Sequence, residues 1–231
     1  MLLKIFKLGL KKLRNIVLGD FRSKKLSDLI VEKILKYNKK KNILILDYGS
    51  GYQPKVVFFV YDKLVKEYKK NVIFDCYDIY SKTDIQKLNK YKKGKIKFNH
   101  INLINKNKKR YDFCLINDVI HHIGIDKEET IKKLLGNLLK MSKIVFIKDH
   151  FQQGFISNNI IRLMDFLGNY FNDVNTPEKY YDKKTFKRLL DKLKIKVLEK
   201  ILSVKLYPSF LLFMSNPDFN FVYLIRKRNN N

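Results

Sequence analysis

The sequence predicts an α/β domain whose sheet is doubly wound, mostly parallel and completed by an antiparallel pair of C-terminal strands. Three observations support this fold class. Short apolar runs alternate with longer amphipathic segments from residue 42 onward, which is the pattern of strands and crossover helices on both faces of a sheet. The first run ends in an acid and two nearby glycines, Asp47-Tyr48-Gly49-Ser50-Gly51. The last two apolar runs have no obvious helix between them.

The elements follow in order along the chain. Residues 1–18 and 24–38 have the apolar spacing of two N-terminal helices. They define a helical extension over residues 1–40, ahead of one domain over residues 41–231. Segment 151–182 is rich in aromatic residues and is predicted to form a substrate lid. Strands are predicted at 43–47, 72–77, 96–101, 112–117, 143–148, 194–205 and 219–227, and helices at 54–69, 83–91, 127–140, 154–170 and 183–193.

The composition of the 231 residues indicates a globular chain, with 45% apolar and 13% aromatic residues and a net charge of +27. Only seven of the 49 basic residues are arginine, the residue that binds phosphate in a bidentate way. A lysine surface that reflects AT-rich codons and a functional basic face both explain the charge. Residues 1–18 either pack on the domain or lie on an anionic membrane.

The chain contains no apolar run of the roughly 18 residues that a transmembrane helix needs. Cys76 and Cys114 lack the spacing of a metal site, so they are expected to be reduced thiols. We therefore expect a cytoplasmic location, with peripheral contact at the inner membrane surface through residues 1–18 as a further option.

The glycine turn limits the type of ligand that it accommodates. A dinucleotide fingerprint requires a third small residue where this chain has Pro54, and a phosphate-binding loop requires Gly-Lys-Ser/Thr, which is absent. The turn therefore suits a cofactor without a pyrophosphate, or else it is a tight turn without a ligand.

Residues 40–150 resemble the class I, Rossmann-like methyltransferases that use S-adenosylmethionine. The glycine turn is similar to the first motif of that family, and Asp78 follows the second strand where the family has an acid for the ribose hydroxyls. Asp75 competes for that role because the end of a strand is predicted from sequence only to within several residues. Asn102 and Leu103 match the segment beside the adenine. The resemblance thus implies S-adenosylmethionine as cofactor, bound by Asp47, Gly49, Ser50, Gly51, Asp78, Asn102, Leu103, Asn117 and Asp118.

Acid–base chemistry is predicted for four residues at the ends of the fourth and fifth strands: His121, His122, Asp149 and His150. Imidazole titrates near neutral pH, which suits proton transfer. Packing roles for the histidines and a pair between Asp149 and His150 are the alternatives. A metal site is not predicted, because the four residues have no recognised ligand spacing. Lys148 is expected to extend to the surface.

The predicted function is transfer of a methyl group from S-adenosylmethionine to an oxygen or nitrogen atom of a small molecule, glycan or lipid precursor. The positive charge favours an RNA methyltransferase as an alternative. Family members that methylate exocyclic amines of bases carry Asn/Asp-Pro-Pro-aromatic after the fourth strand, whereas this chain has Asn117-Asp118-Val119-Ile120. Nucleic acid is therefore disfavoured as a partner. A non-catalytic, basic, membrane-associated protein with the same fold is the third possibility.

Overall fold

A computed structural model describes residues 20–90, 94–169, 176–193, 195–209 and 216–228, with only the backbone at 125 and 167–169. The predicted helix over residues 1–18 and its membrane contact lie outside this part, as do residues 170–175 of the predicted lid. The helices are α1 (Asp20–Tyr37), α2 (Lys55–Lys66), α3 (Lys82–Lys90), α4 (Ile120–Ile123), α5 (Glu128–Met141), α6 (Phe155–Asn169) and α7 (Lys183–Lys192). The strands are β1 (Asn42–Tyr48), β2 (Asn71–Asp78), β3 (Ile96–His100), β4 (Tyr111–Asn117), β5 (Ser142–His150), β6 (Ile195–Leu202) and β7 (Asn220–Lys227).

The strands form one seven-stranded sheet in the order β3-β2-β1-β4-β5-β7-β6. The first five strands are parallel, and β7 runs antiparallel to both β5 and β6. The predicted fold class is therefore confirmed, including the C-terminal antiparallel pair. The strand order reverses between β1 and β4, and ligands of open α/β sheets bind at the carboxyl ends of strands at such a point.

The inner strands of the sheet contribute to two apolar layers because their side chains alternate between the faces. In β1, Ile43 and Ile45 pack with α1 and α2, while Leu44 and Leu46 pack on the opposite face with α5 and α7. This two-sided burial explains the continuous apolar runs that predicted the strands.

Helix α1 is part of the first layer and does not stand apart from the sheet. Leu26 and Ile30 have no exposed surface, and the buried Lys33 donates a hydrogen bond of 2.5 Å to Glu199 of β6. The helix already includes Asp20, four residues before its predicted start, so that Ser23 and Ser27 lie within it and are buried. The boundary near residue 40 stays a prediction.

Two further predictions from the sequence concern the cellular compartment: reduced thiols and the lack of a transmembrane helix. Cys76 and Cys114 are buried free thiols, and burial raises the pKa of each. Within the described ranges, every helix is too short or too polar to cross a bilayer.

We expect Ile30→Ala to lower the free energy of unfolding by about 2–4 kcal/mol, because it removes buried methyl and methylene groups beneath the sheet. The matched control is Lys25→Ala on the exposed side of the same helix, which should change stability by less than about 0.5 kcal/mol. Urea unfolding followed by circular dichroism measures both variants. Equal free energies of unfolding for the two variants would show that α1 does not pack against the sheet as described.

Candidate functional site

A cavity of about 610 Å³ lies at the carboxyl ends of β1 and β4. Its walls come from the loops that follow β1, β2 and β4, with contributions from α1 and α6. His121 and Asp149 are buried beside it, at 3% and 2% exposure, while Asn102 and Leu103 are outside it. The predicted site residues that line the cavity are Asp47, Gly49, Ser50, Gly51, Asp78, Asn117, Asp118, His122 and His150.

The two glycines of the turn serve different purposes. Gly49 has a φ of +81° and Gly51 has a φ of +69°, a region that side chains disfavour. A Cβ atom on Gly49 would overlap the side chain of Val119, whereas one on Gly51 would have no neighbour within 4 Å. Gly49 is therefore needed for packing within the protein, and Gly51 leaves open space that a ligand can fill.

Asp78 is the acid that reaches the cavity after β2. Its Oδ2 accepts a hydrogen bond of 2.6 Å from the backbone N–H of Gly51, and its Oδ1 accepts one of 2.6 Å from Ile79. A carboxylate has about four acceptor positions, so two remain for ligand hydroxyls. The competing Asp75 is inside the strand, where it accepts hydrogen bonds from Lys109 and Tyr111 at 2.6 and 2.8 Å. It does not line the cavity.

The segment predicted beside an adenine differs from the expectation. Strand β3 ends at His100, whose Nδ1 accepts a hydrogen bond of 3.1 Å from the backbone N–H of Asn102. This contact caps a 3-10 helix at Ile101–Lys106. Asn102 and Leu103 are consequently exposed, and Ile101 lines the cavity in their place.

Asp47 is a carboxyl group in an unfavourable environment. It is 3% exposed at the end of β1, and burial raises its pKa to about 7. The Ser50 side chain opposes this increase without cancelling it. The turn thus retains an acid at a position where an apolar or neutral side chain would be easier to bury.

The side-chain partner of Asp149 is His121. Asp149 Oδ1 lies 2.5 Å from His121 Nδ1, and Oδ2 accepts backbone hydrogen bonds from Ile120 and His121 at 2.9 and 3.3 Å. The alternative pair with His150 does not form, since only the backbone N–H of His150 donates to Asp149. Burial disfavours the charged form of His121, but Asp149 and Asp165 outweigh it and raise the pKa of His121 to about 10.

Lys148 and Arg22 belong to the site, although neither was predicted there. Lys148 has no exposed side-chain surface and donates a hydrogen bond of 2.5 Å to Asp118 Oδ1, so the expectation that it extends to the surface is wrong. Arg22 of α1 pairs with the other oxygen of Asp118. His150 Nε2 lies 3.2 Å from Asp118 Oδ1 and 3.3 Å from Lys148 Nζ. We call Arg22, Asp118, Lys148 and His150 the Asp118 cluster.

The charges of this cluster follow from burial and proximity. Burial opposes ionisation of Asp118, but Arg22 and Lys148 outweigh it and hold the pKa of Asp118 well below its usual range. Burial lowers the pKa of Lys148 to about 8. Burial and the nearby Lys148 charge lower the pKa of His150 to about 4, so His150 is neutral at pH 7.

Few signals in the sequence identify these partners. Arg22 lies 96 positions from Asp118, on a helix that precedes the sheet. Lys148 is embedded in the apolar run of β5, and a buried lysine there is explained by an anion, Asp118, just after the neighbouring strand. Asp165 has the weakest signal, since it is one of several polar residues in α6.

The residues present fit a nucleoside cofactor with a polar tail. The cavity has the size of a small-molecule site, and Gly51 and Asp78 provide open space and acceptor oxygens. Asn117 Oδ1 is a buried atom without a hydrogen-bond partner among the described residues. Such an atom is costly unless a donor reaches it, which a bound ligand would supply.

No family model and no curated protein matches this sequence, but solved structures share its fold. The plantazolicin methyltransferase BpumL in complex with SAH is 17% identical, with a TM-score of 0.62 over 96% of this chain and 90% of that chain. Magnesium protoporphyrin IX methyltransferase from Synechocystis PCC 6803 with bound SAH is 11% identical, with a TM-score of 0.57 over 90% of this chain and 84% of that chain.

Larger enzymes share the fold as well. The chain spans 53% of the mitomycin 7-O-methyltransferase MmcR, at 12% identity and a TM-score of 0.59 over 90% of this chain. All three matches have the same fold in spite of low identity. Together with the strand order, they identify the fold of this chain as the class I, Rossmann-like fold of S-adenosylmethionine-dependent methyltransferases.

Proposed function

We propose that this chain is an S-adenosylmethionine-dependent methyltransferase acting on an oxygen or nitrogen atom of a small molecule, glycan or lipid precursor. One observation carries the proposal. Gly51 leaves open space over the turn after β1, and its N–H is bonded to Asp78, a carboxylate that faces the same space. SAH occupies structures of two proteins with this fold, which supports the same cofactor here.

The cofactor side of the cavity comprises the turn and its neighbours. When bound, S-adenosylmethionine supplies an electrophilic methyl group on a sulfonium. Asp78 accepts hydrogen bonds from hydroxyls, and Asn117 Oδ1 accepts one from a polar hydrogen. Asp47 and Ser50 shape the turn, while the fixed charge of Asp118 forms part of the wall. We do not assign contacts to Asn102 and Leu103, because both side chains are exposed.

The side of the cavity that we propose for the methyl acceptor comprises the imidazoles and the lid. Helix α6 overhangs the cavity with Ile161, Met164 and Asp165, and we propose segment 151–182 as the part that selects the acceptor. His150 is our candidate for binding a polar hydrogen of the methyl acceptor, since it is neutral at pH 7 and lines the cavity, and its pKa of about 4 makes it a weak base. His121 and Asp149 are positioning residues, because their ion pair fixes the wall that carries His122.

Rate acceleration at such a site comes mainly from positioning and from exclusion of water. A general base is needed only for an acceptor that loses its proton during the reaction. We also propose a reducing, cytoplasmic location, which the two buried free thiols support.

Binding of SAH tests the proposal directly. We expect one molecule of SAH to bind per chain, and Asp78→Asn to weaken binding at least tenfold, or about 1.4 kcal/mol, because it replaces an acceptor oxygen by a donor. Asp191→Asn, at an exposed position of α7, is the matched control and should bind like the original chain. Calorimetry measures all three. No heat at high SAH concentration would contradict the proposal and favour the non-catalytic alternative.

Alanine substitutions of three glycines distinguish space that a ligand needs from space that packing within the protein needs. Gly51→Ala should block SAH binding, with a stability cost of about 1–2 kcal/mol from its positive φ. Gly49→Ala should be much less stable because its Cβ overlaps Val119. Gly136→Ala, where a Cβ meets open space within α5, should leave binding unchanged and stabilise by about 0.5–1 kcal/mol. Unhindered binding by the Gly51 variant would place the ligand elsewhere.

The buried Asp47 predicts an unusual dependence of stability on pH. Its folded pKa of about 7 exceeds the unfolded value of 3.8, so the folded state binds more protons between these values and loses stability as pH rises through them. Asp47→Asn should therefore be more stable than the original chain by about 1–4 kcal/mol above pH 7, with a difference that shrinks toward pH 4.

Asp112→Asn is the matched control with the opposite sign. Lys143 and a backbone N–H outweigh burial and lower the pKa of Asp112, so this carboxylate stabilises the fold above pH 4 and its loss should destabilise the variant at neutral pH. Urea unfolding between pH 4 and 8 measures both. A pH-independent effect of Asp47→Asn would contradict the burial argument.

A further inference from the structure

We propose that His121, His122 and Asp165 form a binding site for a divalent transition-metal ion in the cavity wall. One ligand atom from each residue lies within 4.8 Å of the others. Helix α4 supplies the two imidazoles and α6 supplies the carboxylate. Two nitrogen ligands and one oxygen ligand suit ions such as Fe²⁺, Co²⁺ or Zn²⁺, whereas Mg²⁺ and Ca²⁺ prefer oxygen ligands. The inference concerns ion binding and does not depend on the proposed methyl transfer.

Two buried nitrogen atoms at this place lack a hydrogen-bond partner. These are His121 Nε2 and His122 Nδ1, within the part of the chain that the structure describes. The His121 and His122 rings are adjacent, with centroids 4.0 Å apart. Buried polar atoms without partners are rare in folded proteins because each costs free energy. A single ion between the two rings would satisfy both atoms.

The surrounding residues orient the ligands as they do in known metal sites. Asp149 holds the Nδ1 of His121 at 2.5 Å, so Nδ1 keeps its proton and Nε2 becomes the ligand atom when an ion displaces the proton there. A carboxylate behind a metal-bound histidine is the usual arrangement. The Tyr180 hydroxyl donates a hydrogen bond of 3.2 Å to Asp165 Oδ2, which fixes the third ligand from the other side.

The separation of Asp165 Oδ1 and His121 Nε2 favours a metal ion bound by both atoms over a direct hydrogen bond between them. Asp165 Oδ1 lies 3.6 Å from His121 Nε2, beyond the normal range of an N–H···O bond. Two ligands of a tetrahedral ion, each bonded at 2.0–2.1 Å, are about 3.3 Å apart. The pair therefore needs only a small movement to bind an ion. A protonated His121 between Asp149 and Asp165 would explain this distance too, but it leaves His122 Nδ1 without a partner.

A second group of possible ligands is close by, formed by Asp118, His121 and Asp149. Its carboxylates are already occupied. Asp149 accepts from three backbone N–H groups and from His121, and Asp118 pairs with Arg22 and Lys148. An ion there would have to displace these donors. In the His121, His122 and Asp165 group, by contrast, two described nitrogen atoms have no hydrogen-bond partner.

Cobalt titration tests this site. The untagged full chain, freed of metal by a chelator, is titrated with Co²⁺ and followed by its visible d–d absorption, with Zn²⁺ as competitor. We expect one equivalent of Co²⁺ to bind and Zn²⁺ to displace it. His122→Gln and Asp165→Asn should each weaken binding about 100-fold or more, and Asp149→Asn by about 10–100-fold.

His100→Gln is the matched control, because His100 caps the 3-10 helix after β3 and lies outside the cavity. It should bind Co²⁺ like the original chain. Circular dichroism establishes that each variant is folded, and Asp165→Asn, on a different helix, serves if His122→Gln does not fold. Absence of Co²⁺ binding, or equal binding by folded His122 and Asp165 variants, would overturn the proposal. SAH calorimetry is separate, so failure of one proposal does not decide the other.

Discussion

The pairing of the partly buried Asp118 carboxylate with two cations is the interaction on which the site depends. Asp118 follows the last residue of β4 and has a φ of +55°, which asparagine and aspartate tolerate better than most residues. Arg22 of α1 and Lys148 of β5 both pair with it. Lys148 has no exposed side-chain surface, so removal of Asp118 would leave a buried ammonium without its anionic partner, which is strongly destabilising. A helix, two strands and the cavity wall are thereby held in one arrangement.

Two imidazoles near this carboxylate have pKa values shifted in opposite directions. His121 lies between two carboxylates, which raise its pKa and favour protonation while no ion is bound, whereas His150 lies beside a lysine and is neutral at pH 7. The same side chain thus holds a proton that a metal ion would displace at one place and stays uncharged at another. Their surroundings, rather than the residue type, determine these properties.

The sequence predicted the sheet because apolar periodicity and glycine turns are local properties. It also indicated Asp47, Gly51, Asp78, Asn117 and His150, which lie at or just after the carboxyl ends of parallel strands. Two other features were not local: the register of β4 and β5 paired Asp149 with His121, and the docking of α1 brought Arg22 to Asp118. Both depend on contacts between distant segments, which residue patterns do not encode. The turn at His100, which moved Asn102 and Leu103 outward, is local, but it depends on a side-chain cap within the segment rather than on apolar periodicity.

The position of Arg22 gives the first described helix a second role. Helix α1 covers one face of the sheet through Leu26 and Ile30, and it also supplies a counterion to the cavity. Opening of α1 and the electrostatics of the cavity are therefore thermodynamically linked. A ligand that strengthens the pairing of Asp118 must stabilise α1 against local unfolding by the same free energy. Slower amide exchange along α1 would then report occupancy of a cavity that most of the helix does not touch.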